Sequence, residues 1–122
     1  MTLLSAYAKL CTGWFILLGL VGLLLTGFTG AGRSLFWMEI DSVASWIHLA
    51  IGLVGTAMLT SEGRTRRFVI VVAPLLVVWA LLGIFSNGSL GDWATGDTQT
   101  VVMHLSFGIG GIAAVWAPLQ RA

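Results

Sequence analysis

Charge is the scarcest property of this sequence: Asp, Glu, Lys and Arg fill 9% of its 122 positions, while 57% are hydrophobic. A soluble domain is about one-quarter charged, because its surface must be solvated. This chain lacks the polar groups to cover a water-facing surface of its own size. Six Lys and Arg against five Asp and Glu leave a net charge of +1, too little for a nucleic-acid binder resting on a broad basic face. The apolar richness also excludes a disordered tail. A single cysteine, Cys11, excludes a disulfide framework and a thiolate metal cluster. Lys9 lies two residues before Cys11 and the apolar run follows it, so it is no lipoprotein cysteine and reads as a small interfacial hydrophobe.

What the chain does have is four apolar blocks, at 10–28, 43–60, 68–85 and 100–117. Each is close to the 20 or so residues that a helix needs to cross roughly 30 Å of hydrocarbon. Lipid offers no hydrogen-bond partners, so such blocks must be helices that satisfy their own backbone. The strands of a membrane barrel would alternate over about ten residues, and none do. The expectation is an all-α integral membrane protein with four transmembrane helices and no separate soluble domain. The first block is longer than the apolar core of a signal peptide, and Thr29-Gly30-Ala31-Gly32 is a poor cleavage site.

The basic residues set an orientation. Lys9 precedes the first block, Arg64, Arg66 and Arg67 lie between the second and third, and Arg121 follows the fourth; only Arg33 falls on the other side. The positive-inside rule then places both termini and the 61–67 connection in the cytoplasm, and Glu39, Asp41, Asp92 and Asp97 outside. Three arginines are fewer than the usual polybasic lipid-binding cluster. Trp14 and Trp116 are expected near the inner interface, and Trp37, Trp46 and Trp93 near the outer one. Trp79 stands apart, in mid-helix, and reads as a lipid or partner contact or, less simply, a lid on a cofactor. Pro74 should kink the third helix.

An internal duplication organises the chain. A shift of 56 residues lays Asp41-x6-His48-Leu49-x-x-Gly52-x-x-Gly55 on Asp97-x6-His104-Leu105-x-x-Gly108-x-x-Gly111. Between 41–57 and 97–113, six of seventeen positions are identical. The same shift brings Gly27 onto Gly83. The reading is two parallel, non-inverted helical-hairpin repeats, at about 1–62 and 63–122, within a single membrane domain. This repeated element resembles an uncharacterised family of small bacterial four-helix membrane proteins, domain of unknown function family 4383. The likeness covers most of the chain and is strongest at 41–57 and 97–113. The 86–98 connection is longer and more polar than that family's pattern leads one to expect. The resemblance implies a four-helix fold and a bacterial inner-membrane address, and no activity.

His48 and His104 are the leading candidate site residues, because an ionisable side chain inside a membrane helix is a functional candidate by default. Each lies seven residues past its aspartate, about 10 Å into its helix. Gly52 and Gly55, like Gly108 and Gly111, share a face with the histidine of their helix. Two readings follow. Glycines let helices approach closely while the histidine hydrogen-bonds across the contact to Ser45, Thr56, Ser106 or the other histidine. Alternatively, two histidines at one depth can hold haem b between helices, or one can ligate a chlorophyll. The structural reading leads, with helices 2 and 4 meeting along these faces. Asp41 and Asp97 read as helix N-caps, with a cation site shared with Glu39 and Asp92 as the lesser alternative.

No catalytic constellation, phosphate-binding loop or metal cluster accompanies them. The expectation is therefore a non-catalytic accessory or scaffolding subunit of a larger membrane complex, in contact with the bilayer and with other subunits or a second copy. The alternatives are a haem- or chlorophyll-ligating subunit and a small transporter or channel.

Overall fold

A computed structural model of the chain describes residues 2–28, 33–35 and 38–117. Four helices dominate it. Helix α1, Leu3–Thr26, starts where Thr2 Oγ1 accepts the Ser5 N–H at 3.0 Å. It stops at Gly27, whose φ of 65° is left-handed and whose N–H bonds back to Leu23, a conformation that glycine adopts without steric cost. Helix α2 is Ser42–Met58, α3 is Glu62–Ser86 and α4 is Thr98–Trp116. Asp41 Oδ2 accepts the Ala44 N–H, Ser61 Oγ the Arg64 N–H, and Asp97 Oδ2 the Thr100 N–H. Helices α1, α3 and α4 are long and apolar enough to cross a membrane. With 17 residues, α2 is about 25 Å long and sits at the lower limit for a span.

The connections depart from the sequence expectation. Helix α1 begins at Leu3, so Lys9 lies within it, exposed on its second turn. Likewise Arg64, Arg66 and Arg67 occupy the first turns of α3, and only Leu59–Ser61 joins it to α2. Hydrophobic runs stop at charges, whereas helices continue through long side chains that can extend to water. Between α1 and α2, strands β1 (Arg33–Leu35) and β2 (Met38–Ile40) form an antiparallel hairpin with Ser34 opposite Glu39. A 3-10 turn at Asp92–Ala94 breaks the α3–α4 connection. Trp37 and Arg121 lie outside the described residues. Helix α3 runs through Pro74 without interruption, although proline offers no N–H to the Ile70 carbonyl.

Packing is strongest within two antiparallel pairs, α1 on α2 and α3 on α4. The glycines of the repeated element sit at these contacts. A Cβ on Gly52 would lie 2.8 Å from Ile16 N and 3.0 Å from Thr12 O; one on Gly108 would lie 3.0 Å from Val77 N and 2.9 Å from Ala73 O. Gly55 faces Thr12 and Phe68, and Gly111 faces Ala73 and Tyr7. The glycine rows therefore pack α2 on α1 and α4 on α3, with Gly55 and Gly111 also reaching Phe68 and Tyr7 of the other pair, and they do not join α2 to α4 as the sequence leads one to expect. The buried residues of the first helices also repeat. Leu4, Ala8, Cys11, Thr12, Phe15, Leu18, Gly19 and Gly22 of α1 are each followed 61 positions later by a buried residue of α3, from Thr65 to Gly83. Gly83, against the Thr95 carbonyl, thus matches Gly22, packed on Ser45, and not the exposed cap Gly27. Cys11 is fully buried in the core beside Phe15 and Leu76, not at an interface. Between the pairs, Tyr7 Oη donates to Phe107 O at 2.6 Å and Trp14 Nε1 to Met103 Sδ at 3.0 Å. Trp14 thereby lies mid-helix in α1, not near its end as the apolar block suggests, because that helix begins at Leu3.

Candidate functional site

The N-caps set the depth of the site. Asp41 and Asp97 fix where α2 and α4 begin, and seven residues further on each helix turns a histidine into the bundle centre. His48 Nε2 and His104 Nε2 are 3.1 Å apart, a direct hydrogen bond in which one ring supplies the N–H and the other its lone pair. The donor histidine therefore carries its proton on Nε2, and a neutral acceptor carries its own on Nδ1. His48 is 6% and His104 1% exposed. Of the partners considered from the sequence, Ser45 Oγ donates instead to Asp41 O at 2.7 Å and Thr56 Oγ1 to Gly52 O at 2.9 Å. Ser106 is exposed.

The remaining two helices enclose the pair. Trp79 of α3 lies over both imidazoles, with ring centroids 4.3 Å from His104 and 4.8 Å from His48. Phe15 of α1 lies 5.1 Å from His48 and 6.5 Å from His104. Each helix thus contributes one ring. Trp79, 8% exposed, is not the lipid- or partner-facing residue that its mid-helix position suggested. Its Nε1 donates to Trp93 O at 2.7 Å, and Trp93 Nε1 donates to Leu90 O at 2.8 Å. The polar 86–98 connection is thereby tied down over the site. Trp79→Phe keeps an aromatic cover but removes this bond, and is expected to cost about 1 kcal/mol. Trp79→Ala also empties the ring's volume and should cost about 3–5 kcal/mol, both read as thermal unfolding in one detergent.

A narrow cleft leads to the histidines from the capped ends of α2 and α4. Glu39, Asp41, Asp92, Thr95 and Thr100 line its mouth, and Ser45, Trp79 and the two imidazoles its floor. Its free volume, about 10 Å³, is that of one water molecule. Asp97 is occupied by the Thr100 N–H, the Thr100 hydroxyl at 2.7 Å and the Thr95 hydroxyl. Among the described residues, no three His, Cys, Asp or Glu side chains are arranged to hold a metal ion. His48 and His104 are the two side chains that can offer imidazole nitrogens to a cofactor. A haem iron held axially by both would separate those nitrogens to roughly 4 Å, twice a metal–imidazole bond, and its macrocycle would need the space now filled by Trp79 and Phe15. Phe15 carried no signal in the sequence, where it is one apolar residue in a run of them. Trp79 was visible as an oddity, but its neighbours were not.

The fold and the site together define a class: a small four-helix bundle, three of whose helices are long and apolar enough to cross a membrane, built around a covered histidine pair. The chain belongs to the family described as "Domain of unknown function (DUF4383)", which matches residues 6–117. No curated protein and no solved structure matches it significantly.

Proposed function

We propose that this chain is a non-catalytic integral membrane protein acting as an accessory or scaffolding subunit of a larger assembly in the bacterial cytoplasmic membrane. The direct His48–His104 bond carries this reading. The two ionisable residues deepest in the repeated helices bond directly to each other beneath Trp79 and Phe15, and the free volume beside them, about 10 Å³, is too small for a substrate or a hydrated ion. The polar groups inside the bundle hold it together, and the outward faces of all four helices are apolar, with Leu24, Val54, Leu75 and Ile109 among the exposed residues. Four crossings arranged as two parallel hairpins fit the repeated burial pattern of α1 and α3 and the shared glycine contacts of α2 and α4. In mild detergent the protein should extract colourless, with a partner subunit in fixed stoichiometry, and should give no ion flux when reconstituted alone. A Soret or pigment band, or flux dependent on His48, would instead support the cofactor or transporter reading.

Lys9 and the arginines at the start of α3 favour a cytoplasmic location for that end of the bundle. Cysteine labelling tests it at two exposed positions, Ser89 beyond α3 and Gly63, where an added side chain meets nothing within 4 Å. Ser89→Cys should react with an impermeant thiol reagent on intact cells, and Gly63→Cys only after permeabilisation. The reverse pattern would invert the topology. Thr65 is unsuited as a probe, being buried and bonded to Met58 O and Ser61 O.

A further inference from the structure

A second cavity lies away from the histidines, on the outer side of the α3–α4 pair. This groove of about 330 Å³ is lined by Arg66, Val69, Ile70 and Pro74 of α3 and by Ile112, Val115 and Trp116 of α4. Val69 and Val115 are buried and form its floor, while Ile70, Ile112 and Trp116 are 40–58% exposed and form its rims. Because α3 and α4 are antiparallel, Arg66 and Trp116 share one end, and Pro74 lies about 12 Å deeper along the helix axis. The groove therefore runs parallel to lipid chains, with a cation and an indole at the headgroup level and only apolar side chains below.

We propose that this groove binds one anionic phospholipid, its acyl chain along Val69, Ile70 and Ile112 and its phosphate on Arg66. The proposal rests on the membrane reading above and on no assignment of function. Charge complementarity favours an anionic headgroup. Arg64 and Arg67 lie within a turn of Arg66, Glu62 is the one acid in the first turn of α3, and no carboxylate lines the groove. Guanidinium groups match phosphate oxygens in a bidentate fork, and Trp116 sits where indoles favour the interface. The apolar length below Arg66 selects a phosphate that carries a chain over free phosphate.

The test titrates the full chain in mild detergent with phosphatidylglycerol or phosphatidylcholine bearing the same brominated acyl chains, reading tryptophan quenching. Trp116→Phe serves as the blank that isolates the Trp116 signal. Phosphatidylglycerol should quench Trp116 saturably, with half-saturation roughly fivefold lower than phosphatidylcholine, about the contribution of one interfacial Arg. Arg66→Gln should erase that preference while leaving elution volume and far-ultraviolet circular dichroism unchanged. Ile112→Phe, which narrows the groove but keeps Arg66, should weaken quenching by both lipids. Equal quenching by the two lipids in the parent, an unchanged preference in Arg66→Gln, or full competition by equimolar inorganic phosphate would each overturn the proposal. Colour, flux or a missing partner subunit would overturn the scaffold reading without altering any of these outcomes.

Discussion

Gly52→Ala and Gly108→Ala should each destabilise the bundle by about 1–3 kcal/mol, the usual cost of overpacking, and the leucine variants by more. The reason is that the neighbour is backbone. The new Cβ on Gly52 would stand 2.8 Å from Ile16 N, and that on Gly108 would stand 2.9 Å from Ala73 O. A side chain can rotate out of the way, but a helix axis must move, and every contact along the hairpin moves with it. Gly13→Ala is the matched control. It also lies inside a helix, but nothing stands within 4 Å of its Cβ position. There the substitution only restricts the unfolded chain and should stabilise by about 0.5–1 kcal/mol. Thermal unfolding of the three variants in one detergent gives the comparison. If all three behaved alike, the close approach of α1 to α2 and of α3 to α4 would be wrong.

Replacing one histidine should cost more than replacing both. His48→Leu leaves His104 buried beneath Trp79 with no partner for Nε2, a loss of about 1–3 kcal/mol for a stranded polar group; His104→Leu does the same to His48. The double leucine variant strands nothing and should unfold no earlier than the worse single variant, so the two losses are not additive. His48→Asn or His104→Asn keeps a hydrogen-bonding group and should be milder, because such interhelical bonds average roughly 0.6 kcal/mol. These losses fall below those of the glycine-to-leucine changes. A haem-binding pair gives the opposite ranking: either histidine change would abolish a Soret band, and a glycine change would only perturb it.

The apolar blocks were legible in the sequence because a helix that can cross lipid needs one length and one composition, and α1, α3 and α4 meet both. It also marked His48 and His104 at equal depth, since a fixed rise per residue converts seven positions past each aspartate into the same distance. The partners of the glycines were not legible. Periodicity places Gly52 on a face of α2, but only packing decides that Ile16 and Thr12 lie against that face. Helix starts were not legible for a related reason. Thr2 and Ser61 are ordinary N-caps, yet the residues that follow them include Lys9, Arg64, Arg66 and Arg67, and a reading keyed to apolar runs begins only beyond those charges. A constant shift of 56 residues paired Gly27 with Gly83, while the packed helices pair Gly22 with Gly83. The α1–α2 connection, with its β-hairpin, is longer than the α3–α4 connection, so the two helix pairs repeat at different offsets. Phe15 and Trp79 meet the imidazoles through long-range packing, which no local pattern encodes.

The histidine bond itself gives the most direct measurement. In protein labelled with ¹⁵N at histidine and held in mild detergent, the account predicts two unlike imidazoles. One is protonated at Nε2 and the other at Nδ1, with a scalar coupling between the two Nε2 nuclei across the bond. Two imidazoles of the same tautomer with no coupling between them, or ring nitrogens shifted by a bound metal, would contradict it.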